Sequence, residues 1–232
     1  ERSSAAADVY KRQVHPALDL ARFDPVRYDR DKTREILNIP AGAYLIGTVG
    51  RVSPGKGYED FLQAAQKLRA RNKNKSLHFV VVGSASYGEE DYYENIIQLA
   101  QELELGESVT FTGFRRDIPA LLNAMDVFIF PSRAEGFGAT VIEAMAMGVP
   151  CVSTRSDGTL DTVVDRKTGL VFQGGDVEGL AGAVELFLRN DSLRSQIAKN
   201  GYRQVRDRFN LDAMIDRLEI LYAKSIAHPV RV

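Results

Sequence analysis

Tryptophan is absent from this 232-residue chain, and cysteine and histidine are scarce, with one and three copies. The single thiol, Cys151, excludes an intrachain disulfide and any cysteine-rich metal centre, and it fits a reducing compartment, so a cytoplasmic location is the expectation. His15, His78 and His228 stand far apart in sequence, and no zinc-type spacing occurs. His78 sits in an apolar run and reads as a packed residue rather than a catalyst. No apolar run reaches the roughly 18 residues of a membrane span, and no signal peptide opens the chain. Charge of one sign is lacking too: 30 Lys and Arg against 31 Asp and Glu leave a net charge of -1. That balance gives no global attraction to nucleic acid or to an acidic membrane; peripheral contact with a membrane stays open on other grounds. The cationic stretch from Arg69 to Lys75 reads as a solvated helix C-terminus. There is no internal repeat and no low-complexity tract. The first residue is Glu1 rather than Met, which reads as a processed product or a fragment of a longer protein.

What is present is a globular composition, 44% hydrophobic and 26% charged, of a length that suits one large domain or two small ones. Short apolar runs that suit buried strands lie at 45–49, 77–82, 109–112, 127–130, 150–154 and 168–172. Helical patterns separate them: amphipathic ones at about 58–70 and 91–105, one after Pro119 through Leu121, Leu122 and Ala124, and one at 140–147. A short helix at 31–38 precedes the first strand, and helices at 177–188, 191–206 and 211–226 close the chain. Residues 156–159 read as an exit loop. This alternation predicts an α/β fold, a Rossmann-like parallel sheet with helices on both faces.

The most informative stretch is 126–150, DVFIFPSRAEGFGATVIEAMAMGVP. A strand ending at Pro131 leads through a polar loop into Gly136-Phe137-Gly138 and then a helix that is apolar nearly all round, which implies burial. Its only polar side chains, Thr140 and Glu143, are three apart and share one face that leans back toward the glycines. The glycines admit a close backbone approach, and the first helical N–H groups, from about Ala139, are donors that suit an anion. Glu135 stands at the mouth of this loop. Taken singly, Glu135 reads as a solvated residue and Glu143 as a salt-bridge partner. Together they put two carboxylates on one glycine-rich helix start.

A second cluster, Gly50-Arg51-Val52-Ser53-Pro54-Gly55-Lys56-Gly57, lies between the first strand and its helix. Glycines and cations at that place are what an open α/β sheet offers a phosphate. Arg51 can donate two parallel hydrogen bonds to phosphate oxygens, and Lys56 is a compact mobile charge. Gly50 to Lys56 also fits the opening of a nucleoside-triphosphate P-loop, but Gly57 stands where that motif needs Ser or Thr. Gly83 ends the second strand, and Arg115 to Ile118 follow the third.

Glu135 and Glu143, seven residues apart around Gly136-Phe137-Gly138, resemble the E-x7-E motif of the retaining glycosyltransferases of family 4. That resemblance implies the two-domain GT-B architecture, with this chain as its C-terminal, donor-binding half. It implies a hinge in VHPALDLARFDP from Val14, although Ala17-Leu18 replaces the usual Asn-Gly. The implied division is 1–40 as leader and hinge, 41–210 as the nucleotide-sugar-binding domain and 211–232 as a C-terminal helix. By the same resemblance Arg51 and Lys56 bind the donor diphosphate, Glu143 accepts hydrogen bonds from ribose, and Arg115 lies against the base through its main chain beside Ile118. Gly50, Gly83 and the run Gly136, Phe137, Gly138, Ala139 and Thr140 complete the donor-binding set. Relatives have two glycines and a later Glu where this chain has Asp157-Gly158 and Asp161, which leaves the sugar environment open.

The implied reaction is metal-independent transfer of a hexosyl group from a nucleoside diphosphate sugar, UDP-sugar favoured over GDP-mannose, with no cofactor and with Glu135, Arg51 and Lys56 as the catalytic groups. Asp29-Arg30-Asp31 spells the D-x-D of metal-dependent transferases but lies outside the alternating region and reads as a charged loop. The partners are the nucleotide sugar and an N-terminal acceptor-binding domain, in bacterial polysaccharide or glycolipid assembly. A binding module inactive on its own and a GT-B sugar-nucleotide epimerase stay as alternatives. A paired-carboxylate glycoside hydrolase would leave the Arg51 and Lys56 site without a purpose.

Overall fold

The computed structural model describes residues 16–133, 135–160 and 162–227. The leader at 1–7, the first two hinge residues, His15, Asp161 and His228 lie outside the described residues. Strands β1 (Tyr44–Val49), β2 (Leu77–Val82), β3 (Val109–Phe111), β4 (Val127–Phe130), β5 (Cys151–Thr154) and β6 (Leu170–Phe172) form one sheet in the order β3-β2-β1-β4-β5-β6. Every pairing is parallel, with Val49 opposite Val82 and Ile46 opposite Val127. This is the Rossmann-like sheet that the alternating pattern predicts.

The strands carry apolar residues at consecutive positions because both faces are covered. In β4, Val127 and Ile129 join one core while Phe128 and Phe130 join the other. The first core is sealed by α2 (Tyr58–Arg71), α3 (Glu90–Glu102) and α7 (Val177–Arg189), whose Phe61, Ile96 and Phe187 lie in it. The second is sealed by α4 (Ile118–Ala124), α5 (Ala139–Ala146) and α8 (Asp191–Arg208), through Leu121, Met145 and Val205. Fully burying a side chain such as Ile142 or Met145 contributes about 1.5–3 kcal/mol. The apolar circumference of α5 is thereby explained. Between β5 and β6 comes α6 (Asp157–Leu160), and α9 (Leu211–Ala227) packs on α8.

Several expectations change. Residues 156–159 are not an open loop, since Thr159 donates from its hydroxyl to the Thr154 carbonyl at 2.8 Å and winds the segment into α6. Helix α3 stops before 105 because Glu104 adopts a left-handed conformation at φ 54° and a 3-10 turn, Gly106–Ser108, follows. The cationic stretch is more engaged than a solvated face: Arg71 pairs with Glu178 at 2.5 Å, Arg69 donates to the Glu104 carbonyl at 2.8 Å, and Lys75 lies over the Tyr44 ring. His78 is buried, with Nε2 2.8 Å from the Thr110 hydroxyl, and burial lowers its pKa.

The segment before β1 is fixed to the sheet. Its helix α1 (Arg30–Ile36) is capped by Asp29, which accepts from the Lys32 amide at 3.0 Å. Arg30 and Arg34 converge on Asp126 at 2.6 and 3.2 Å, and Asp126 also accepts from the Leu45 amide at 2.8 Å. The D-x-D spelling is therefore a helix start.

Candidate active site

The chain passes from β1 to β2 on one side of the sheet and later to β4 on the other, so the strand order reverses between β1 and β4. In open α/β sheets that reversal leaves a crevice at the carboxyl ends of the strands. Here it holds a cavity of about 190 Å³. Gly50, Arg51, Lys56 and Tyr58 line it from the β1 side, and Ser132, Glu135, Gly138, Ala139 and Thr140 line it from the β4 side. Two clusters read separately from the sequence thus share one wall-to-wall site. Lys56 and Glu135 form an ion pair across it, with side chains 26% and 21% exposed. Arg51 is exposed and makes one long contact, 3.4 Å to the Ser86 hydroxyl, so its guanidinium retains donors for a ligand.

Helix α5 opens on this cavity, with Gly138, Ala139 and Thr140 in its wall and no side-chain cap. Its first N–H groups carry the positive end of the helix dipole, an arrangement that attracts anions. The two glycines of the α5 loop have different physical duties. Gly138 holds a left-handed φ of 67°, which a side chain opposes. Gly136 is exposed, and a methyl group there would meet nothing within 4 Å. Phe137 turns its ring inward against Phe209, with centroids 5.9 Å apart, and anchors the loop to the core.

Thr140 and Glu143 share a face of α5, but only Thr140 lines the β1/β4 cavity. Burial pushes the Glu143 carboxyl up to about 7, opposed by the positive charge of Arg22. Arg22 in turn donates to the Arg116 carbonyl at 3.4 Å, so Glu143 belongs to the side of the site where the β3 loop arrives. In that loop Arg115 closes on Asp117 at 2.8 and 2.5 Å, which leaves its main chain rather than its guanidinium for a ligand. That pairing lowers the pKa of Asp117. Ile118 opens α4 and packs on the core. Gly83 makes a bridge to Gly113, and a Cβ on it would fall 1.8 Å from the Gly50 carbonyl oxygen. Its observed duty is to let the β1 and β2 ends approach.

Some participants had no signal in the sequence. The Tyr58 hydroxyl donates to the Gly50 carbonyl at 2.9 Å, and burial raises its pKa above the ordinary value. Asp60, 4% exposed, accepts from the Arg133 guanidinium at 2.8 Å and from the Gly175 amide at 3.1 Å. The two Asp60 contacts join positions far apart in the chain and become visible only on folding. Among the described residues, no group of three or more His, Cys, Asp or Glu side chains is placed to hold a metal ion, and no helix is long and apolar enough to cross a membrane.

Comparisons with known proteins agree with this geometry. The chain is 33% identical over 224 residues to a D-inositol 3-phosphate glycosyltransferase of Salinispora arenicola, covering 92% of this chain and 49% of the relative. It superposes with a TM-score of 0.83 on Anabaena HepE in complex with UDP-glucose, at 27% identity, covering 90% of this chain and 57% of that one. It also matches the C-terminal domain of the group 1 glycosyl transferase LpcC from Francisella tularensis, with a TM-score of 0.75 and 27% identity, covering 84% of this chain and 99% of that one. The chain spans about half the length of the curated relatives it matches. The model of the family "Glycosyl transferases group 1" matches residues 29–204, and the chain belongs to that family of GT-B fold.

Proposed function

We propose that this chain is the C-terminal, donor-binding half of a retaining, family 4 glycosyltransferase that moves a hexosyl group from a UDP-sugar to an acceptor without a metal ion. The observation that carries the reading is the meeting of Arg51, Lys56 and the uncapped N-terminus of α5 with Glu135 in one crevice. Positive groups there suit a diphosphate, and the adjacent carboxylate suits a sugar. The UDP-glucose bound to the structural neighbour favours uridine over guanosine, and the match to another protein's C-terminal domain supports the placement.

In the reaction, the bond from the anomeric carbon to the diphosphate oxygen breaks and its electron pair leaves with the diphosphate. An acceptor hydroxyl bonds to the same face of that carbon and its proton passes to the departing diphosphate oxygen. The leaving diphosphate gains negative charge, which Arg51, Lys56 and the amides of Ala139 and Thr140 stabilise in place of a metal ion. Glu135 orients a sugar hydroxyl, and its charge favours the oxocarbenium-like centre. Glu143, on the side of the β3 loop, accepts from the ribose hydroxyls, and Arg115 presents its main chain to the base.

The half-length match favours a second reading for the chain taken alone, a module that binds the nucleotide sugar and turns over poorly. A transfer assay in chelator, with this chain alone and with the same chain carrying an acceptor-binding half, separates the two. Retention predicts that the sugar from UDP-α-glucose keeps its α configuration. A β product, or a requirement for added magnesium, contradicts the mechanism.

A further inference from the structure

Two segments form the walls of the crevice, the β1 loop running into α2 and the loop after β4. Contacts between described residues join them. The Arg133 amide donates to the Gly55 carbonyl at 3.0 Å. Lys56 pairs with Glu135. Asp60, one helical turn after Lys56, receives the guanidinium of Arg133, two residues before Glu135, through Nη2–Oδ1 at 2.8 Å and Nε–Oδ2 at 3.3 Å. The same carboxylate takes the Gly175 amide at 3.1 Å, which ties in the turn before α7.

The two ion pairs differ in what a ligand does to them. Lys56 and Glu135 face the cavity, so a diphosphate drawn to one and a sugar drawn to the other must come between them. Asp60 and Arg133 lie behind that wall. The Asp60 side chain is 5% exposed and the Arg133 side chain 53%, so the carboxylate is buried and its cation reaches in from the rim. Removing the guanidinium leaves a buried carboxylate with one amide donor, whereas the fork geometry of the pair resists rotation of either segment.

We propose that the Arg133–Asp60 pair is a positioning clamp that holds the Lys56 and Glu135 segments at a fixed separation once a ligand has displaced the ion pair between them. This inference rests on the nucleotide-sugar reading of the crevice. In the free protein the clamp is backed up by the Lys56–Glu135 pair; in the occupied protein it acts beside the Gly55–Arg133 backbone bond. Loss of the clamp is therefore read in nucleotide affinity as well as in the free fold.

The test is calorimetric titration of the wild type, Arg133→Met and Arg133→Lys with UDP, GDP and ADP, beside thermal midpoints without ligand. Arg133 is the position of choice because its side chain is half exposed; Asp60→Asn serves as a second variant. The clamp predicts that Arg133→Met weakens binding of the preferred nucleotide by about tenfold, besides the fall in the free midpoint that an unpaired buried Asp60 causes, and that Arg133→Lys recovers part of the lost affinity. A fall in the midpoint with unchanged affinity makes the pair merely structural and overturns the clamp. Wild-type binding that Arg133→Met and Asp60→Asn leave unchanged overturns the clamp but keeps the nucleotide reading. A folded wild type that binds none of the three nucleotides overturns both.

Discussion

The ammonium of Lys56 is paired with the carboxylate of Glu135, two residues 79 positions apart that meet between the β1 and β4 loops. Each half of the ligand is thus represented in the free protein by the other's side chain. Glu135→Gln removes the competing charge and frees Lys56, so UDP, which lacks the sugar, is expected to bind at least as tightly as to wild type while sugar transfer falls. Calorimetry and a transfer assay on one preparation check the split.

Glu143 gives a pH dependence with a definite sign. Burial raises its carboxyl from the ordinary 4.5 to about 7 in the folded chain. The protonated form is favoured by the fold, so this contribution is fully present below about pH 4.5 and is lost as pH rises through about 7. A shift of that size corresponds to about 3 kcal/mol. Urea unfolding at pH 5 and pH 8 is expected to show wild type losing stability relative to Glu143→Gln as the pH is raised. Equal pH profiles contradict the burial argument.

The glycines of the site divide into those the fold needs and those it does not. Gly83→Ala forces a Cβ into the Gly50 carbonyl at a left-handed φ of 143°, and a loss on the order of 2–4 kcal/mol is expected. Gly136→Ala meets open space and is expected to leave the thermal midpoint unchanged. If Gly136→Ala nevertheless weakens nucleotide-sugar binding, the exposed backbone there is where the ligand approaches.

Asp126 joins the segment before β1 to the end of α4. Asp126→Asn weakens the pairing with Arg30 and Arg34, the latter with only 14% of its side chain exposed, and about 2–3 kcal/mol of stability is expected to go. Denaturant unfolding measures it. UDP affinity is expected to hold, because Asp126 starts β4 at the edge opposite the crevice.

Most of the fold was legible because its determinants are local. Apolar runs of four to six residues marked the strands, and helical periodicity marked the helices between them. Arg51, Lys56 and Glu135 were legible as site candidates because parallel sheets place ligands after strands. What stayed hidden depends on tertiary contact. No pattern in the sequence links Asp60 to Arg133 or Lys56 to Glu135, 73 and 79 positions apart, or turns the Tyr58 hydroxyl onto the Gly50 carbonyl. The helical periodicity put Thr140 and Glu143 on one face, yet the arrival of Arg22 and the β3 loop separates their surroundings. The α6 turn was hidden for a related reason, since a threonine hydroxyl rather than a helix-forming composition holds it.

The most direct test of the central claim is calorimetric titration of this chain with UDP in chelator, beside Lys56→Ala. The account predicts binding by the wild type without metal, weakened at least about tenfold by loss of the Lys56 charge. A folded wild type that binds no UDP, or a Lys56→Ala variant that binds it equally well, contradicts the account.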